Sequence, residues 1–137
     1  MFLQQKRIDK LWFDEFFSTI SDDDETSLTS TRFNNIKHSM VGASTDKGSL
    51  VFWDVIAAKE IQKYNEHKAP STGLAFSPVN EVLVLSSGLD KRCVCYDVMA
   101  KKPASTIWTE LPLTSVEFAS NGTNLVLGKQ SSNLVID

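Results

Sequence analysis

The chain has 137 residues, 42% hydrophobic and 23% charged, with a formal net charge of -3. That length suits one ordinary globular domain. The missing basic excess argues against nucleic acid and anionic membranes as partners, and no run of about 18 apolar residues exists to span a bilayer.

From Lys6 to Ile20, the apolar residues Ile8, Leu11, Trp12, Phe16 and Ile20 recur at helical spacing, which predicts a short amphipathic helix. Asp9, Asp14 and Glu15 interrupt the unbroken apolar core that a secretory signal needs, and they argue against a mitochondrial transit peptide. The expected address is the cytoplasm. Ser21 to Thr26 and the following Leu28 to Arg32 are acidic or Ser/Thr-rich without periodicity, and read as a linker. Residues 1–32 are therefore expected to be a leader.

After Phe33 the texture changes to short strand-like runs: Ser49–Trp53, Thr72–Phe76, Val82–Leu85, Cys93–Tyr96, Thr114–Phe118 and Asn124–Leu127. Turn signals separate them, among them Asp46-Lys47-Gly48, Ser77-Pro78-Val79-Asn80, Gly88-Leu89-Asp90 and Asn121-Gly122. Such spacing indicates antiparallel β structure, a sandwich or a propeller. A repeat decides between them. Trp53-Asp54 closes one segment and Tyr96-Asp97 another, 43 residues apart, and Ile136-Asp137 gives a degenerate third ending. A period of about 40–45 residues ending in an aromatic-Asp pair is the signature of a WD-type propeller blade. Trp53, Asp54 and Asp97 are the repeat-ending residues.

The expected fold is all-β, a partial WD-repeat β-propeller of about three blades with its first and last incomplete. The blades are assigned to residues 33–64, 65–109 and 110–137. In the first, Asn35 to His38 run almost directly into a strand at Met40, leaving hardly any room for an opening hairpin, so this blade is read as shortened. The second has all its parts. The third repeats two strands but stops before a fourth. Seven blades need roughly 300 residues, so the chain is expected to be a piece of a longer protein.

The segment 65–109 resembles WD-repeat proteins closely. That resemblance implies a buried hydrogen-bond relay of a His, a Ser/Thr on the second strand, an Asp in the next turn and an aromatic on the third strand. The matching residues are His67, Ser86, Asp90 and Tyr96. A His, a Ser and an Asp also invite a hydrolase reading, but Ser86 lies inside a predicted strand without a Gly-x-Ser-x-Gly elbow. No enzyme activity, cofactor or small-molecule substrate is expected. With His38 the only other histidine, and Cys93 and Cys95 two apart on one strand, no metal set or disulfide is expected either.

Within this unit, His67-Lys68-Ala69-Pro70, Phe76 to Glu81, Gly88 to Arg92 and Tyr96-Asp97 come in an order and spacing that resemble the Nedd-type WD-repeat adaptors, which target gamma-tubulin ring complexes. The resemblance covers about residues 35–137. It implies a non-catalytic interaction scaffold, part of a propeller that positions an adaptor on centrosome and spindle, with centrosomal or spindle microtubule-associated proteins as partners. The alternative is a generic WD scaffold of a ubiquitin-ligase or RNA-processing assembly. Lys91 and Arg92, following a buried Asp at a tight turn, are expected to project outward as a basic pair, there either to keep the turn soluble or to meet an acidic partner.

Overall fold

The computed structural model describes residues 26–130 and 134–136, the last three as backbone only. The expected N-terminal helix, and the acidic stretch up to Glu25, lie outside the described residues.

Among the described residues, eleven strands form three antiparallel sheets set side by side. The first sheet runs in the order β1 (Leu28–Phe33), β2 (Met40–Thr45), β3 (Leu50–Asp54), β4 (Lys59–Tyr64). The second contains β5 (Ser71–Phe76), β6 (Leu83–Gly88), β7 (Arg92–Asp97) and β8 (Ser105–Trp108). The third contains β9 (Leu113–Phe118), β10 (Leu125–Lys129) and β11 (Leu134–Ile136). Each sheet is a meander, and the first strands β1, β5 and β9 lie side by side as the inner wall. This is the arrangement of propeller blades.

Two expectations are corrected. Residues 28–32 are not linker, and the first blade is not shortened. Leu28–Phe33 pairs with Met40–Thr45 in register from Leu28↔Thr45 to Phe33↔Val41, so this blade has four strands. The strand escapes a search for apolar alternation because only Leu28 is fully buried, while Thr29, Ser30 and Thr31 are half-buried. Polar residues are stable there because hydroxyls find partners on neighbouring strands. The tight opening hairpin also has a chemical reason. Asn34 Oδ1 accepts the amides of Ile36 and Lys37 at 2.8 and 3.0 Å and closes the turn in six residues.

The core lies between the blades. Met40, Leu50, Phe52 and Tyr64 of the first blade meet Leu74, Phe76, Val84, Val94 and Tyr96 of the second. The Phe52 and Phe76 rings meet edge to face at 5.9 Å. Ala75, Leu85 and Cys93 of the second blade meet Leu113, Val116 and Leu127 of the third. Alternation along the strands assigns the faces: Leu50 and Phe52 point to the second blade, whereas Val51 and Trp53 join Leu28, Val41 and Ala43 on the opposite face. Cys93 and Cys95 are free thiols on one face of β7, and burial pushes the Cys93 thiol up to about 12.

One irregularity repeats in all three blades. The register of the first strand against the second shifts at Thr29, at Thr72 and at Thr114. The bulged threonine reaches its neighbour: Thr29 Oγ1 donates to Ser71 O at 2.5 Å, and Thr72 Oγ1 to Leu113 O at 2.9 Å. Their single protons being so used, Ser44 and Ser87 donate to the two threonines at 2.8 Å. These latches join each inner strand to the next.

Candidate functional site

The four predicted relay residues come together at the entry to the second blade. His67 stands in the loop between β4 and β5, Ser86 on β6, Asp90 in the β6–β7 turn and Tyr96 on β7. His67 Nδ1 is 2.9 Å from Asp90 Oδ1, His67 Nε2 is 2.6 Å from Ser86 Oγ, and Ser86 Oγ is 3.1 Å from Tyr96 Oη. Ser86 and Tyr96 are fully buried, and the imidazole has no exposed surface.

Protonation fixes the direction of the chain. Burial lowers the His67 pKa, outweighing the hydrogen bond and charge of Asp90. A neutral ring donates from Nδ1 to the carboxylate and accepts at Nε2 from Ser86, so Tyr96 must donate to Ser86. A protonated ring donates at both nitrogens, and Ser86 must then turn its proton toward Tyr96. The pKa of Asp90 is lowered although burial opposes it, because His67, the Lys68 amide and Arg92 all donate to its carboxylate. The Lys68 bond is 2.9 Å long and the Arg92 Nε bond 2.8 Å.

Arg92 therefore corrects another expectation: it is not half of an outward basic pair. Its guanidinium lies against Asp90 Oδ2, donates to the carbonyl of Glu66 and sits 5.3 Å from the centre of the Trp108 ring. Only 12% of its side chain is exposed. The Asp90 carboxylate and the Glu66 carbonyl together draw it inward. Lys91 is exposed, and its φ of 68° keeps the turn tight.

Gly88 belongs to the same cluster, and sequence reasoning used it only as a turn marker. A Cβ there would lie 2.3 Å from His67 Nδ1 and 2.5 Å from Asp90 Oδ1. Its missing side chain is the room in which the pair meets. The turn of the first blade shows a related constraint at Gly48, whose φ is 84° and whose Cβ would meet His67 O at 2.4 Å. Among the described residues the relay is complete in the second blade alone. Ala43 and Leu127 stand at the register position of Ser86 in the other two.

The repeat-ending aspartates have a separate role. Asp54 Oδ1 accepts the amides of Ile56 and Ala57 at 2.9 and 3.0 Å, and Asp97 Oδ1 accepts that of Met99 at 2.9 Å. Each closes the turn from third to fourth strand. Trp53 is buried beside Val41 and Val51.

Among the described residues, no group of three or more His, Cys, Asp or Glu could hold a metal ion, and no helix is long and apolar enough to cross a membrane. Ser86 cannot serve as a nucleophile toward an outside substrate, since it is wholly buried and both its neighbours occupy its hydroxyl.

Meandering blades, latched inner strands and the His-Ser-Asp-Tyr cluster define a WD-repeat β-propeller protein. No family model matches the chain. It is 36% identical over 109 residues to NEDD1 of Homo sapiens and equally to NEDD1 of Bos taurus, an alignment covering 79% of the chain and 16% of each relative. The structure resembles the β-propeller domain of Myceliophteria thermophila Cps50 (Swd1) with a TM-score of 0.71 and 18% identity, covering 81% of this chain and 37% of that one, a likeness of fold alone. The chain is a NEDD1-like WD-repeat protein that spans about a sixth of the length of those relatives.

Proposed function

We propose that this chain supplies a propeller sector that positions a gamma-tubulin-complex adaptor on centrosome and spindle, and that it performs no chemistry itself. The observation that carries the reading is the likeness to NEDD1 over 79% of the chain. The propeller supports the coarser half of it: a rigid scaffold for protein partners. On this reading the relay is a structural device that holds the loops of the second blade in place, and the cytoplasm is the compartment in which they meet their partners. Lys91, exposed on a rigid turn beside the relay, is the basic contact offered to an acidic centrosomal or spindle protein.

The test is to express the chain as a fluorescent fusion in dividing cells carrying a gamma-tubulin marker. Enrichment at gamma-tubulin foci and along the spindle is expected, with Lys91→Glu reducing it. A diffuse signal from the folded fusion rejects the centrosomal reading, and an unchanged Lys91→Glu pattern rejects Lys91 as its contact.

A further inference from the structure

We propose that residues 6–20, the amphipathic helix predicted from the sequence, dock on the outward face of the first blade and take the seat that a neighbouring blade fills in a closed propeller. Val41, Ala43, Val51 and Trp53 point away from the second blade, yet they are only 1%, 0%, 0% and 3% exposed. A single sheet cannot dry its own face, so a second layer of chain covers this one. Among the described residues the cluster contains first-blade side chains alone, because the second blade packs on the opposite face. The end of the chain is committed to the third blade, where Leu134–Ile136 pairs with β10, and that blade packs on the far side of the second. Residues 1–25 are left to supply the layer.

The width of the dry stripe fits one helix better than a blade. Cross-strand partners share a face, so Phe33, Val41, Trp53 and Glu60 form one row across the sheet, and Thr31, Ala43, Val51 and Lys63 form the next. In each row the two middle residues are buried. At the flanks Phe33 is 44% exposed, Glu60 is exposed, and Thr31 and Lys63 are half-buried. The cover thus spans the two middle strands, about 5 Å apart, and a helix about 10 Å across matches that span. A whole blade reaches further. On the face packed against the second blade, Tyr64 of the fourth strand is buried as well.

The stripe also starts where the segment is attached. It runs from Leu28 on β1 to Val55 and Ala58 in the β3–β4 turn. Leu28 follows Ile20 by eight residues, and Ile8, Leu11, Trp12, Phe16 and Ile20 give the predicted helix its apolar side. Fifteen helical residues extend about 22 Å, close to the length of the six-residue strand β2. Further blades or a second copy can stack on this face only by displacing the segment, which makes it a built-in stop. The inference goes beyond the centrosomal reading and does not rest on it.

The test is NMR spectroscopy of the full chain with isotope-labelled methyl and Trp side chains. Cross-relaxation peaks are expected between Leu11 or Trp12 and Val41, Val51 or Trp53. An equal mixture of labelled and unlabelled chains separates contacts within one chain from contacts between two. In the full chain, Leu11→Ser with Phe16→Ser should lower the urea midpoint by about 1 M and raise the fluorescence of bound anilinonaphthalene sulfonate several-fold. Lys10→Gln with Asp14→Asn, on the polar side of the helix, should change neither. Absence of the peaks in the parent chain overturns the proposal, as does an apolar variant that behaves like the polar one. Peaks that arise only between chains overturn it in favour of a second copy.

Discussion

Arg32 of the first blade and Glu117 of the third meet across the inner strand of the second. Arg32 Nη1 and Nη2 donate to the two carboxylate oxygens at 3.1 and 2.7 Å. Ala75 stands at the equivalent position of the intervening strand. The pair braces alternate blades, where the threonine latches join consecutive ones.

Both side chains are about half exposed, 46% and 54%, so solvent screens the pair despite its two-pronged geometry. A double-mutant cycle with Arg32→Ala and Glu117→Ala should give a coupling of about 0.5 kcal/mol that shrinks in molar salt. A coupling above about 2 kcal/mol, or one unaffected by salt, contradicts this account.

The relay is a different case, because its groups are buried. Asp90→Ala leaves His67 and Arg92 without their shared acceptor, and His67→Ala leaves Asp90 and Ser86 without the ring between them. Each change should cost about 3–5 kcal/mol in urea unfolding, and the double variant less than the sum. Strictly additive losses show that the residues do not act as one unit.

Acid should act on the same cluster, and both shifts have the same sign. The folded His67 binds a proton below its ordinary 6.5, chiefly because it is buried, so the unfolded chain takes up that proton first. Its contribution is complete above about pH 6.5 and is lost as pH falls through the folded value. Asp90, held below its ordinary 3.8 against the opposing effect of burial, adds a second loss that begins near that value. Unfolding midpoints measured from pH 8 to 3 should therefore be level above neutrality, decline below about 6.5 and decline further below about 3.8. His67→Gln should remove the first decline. A midpoint that rises between neutrality and pH 5.5 is incompatible with a ring buried in its neutral form.

Gly88 offers a test that leaves every relay residue in place. Gly88→Ala puts a methyl group 2.3 Å from His67 Nδ1, so ring or turn must move by more than an ångström of clearance allows. The expected loss is about 2–3 kcal/mol, with the imidazole resonances shifted in NMR spectra. Gly122→Ala is the control at a turn far from the relay, where the neighbour is the exposed Val79 side chain and φ of 73° adds strain. Its imidazole resonances should stay in place. If Gly88→Ala leaves them unmoved as well, the glycine is not what makes room for the pair.

The sequence alone determined the blade period, because the aromatic-Asp endings recur at 43 residues and close equivalent turns. It also indicated the relay's membership, through the resemblance of residues 65–109 to WD-repeat proteins, which implied His67, Ser86, Asp90 and Tyr96 within one repeat. The tertiary structure alone decided three things. It made a strand of Leu28–Phe33, whose polar residues carry no apolar period and are stabilised by partners on other strands, Ser44 and Ser71 among them. It turned Arg92 inward, because Glu66 O and the Trp108 ring approach from elements 26 and 16 residues away in the chain. It brought Arg32 to Glu117 across 85 residues, a distance over which no sequence period signals which of many charges will meet. Local hydrogen bonding is written into neighbouring residues. Contacts between blades depend on how whole sheets stack, and only the folded chain fixes that.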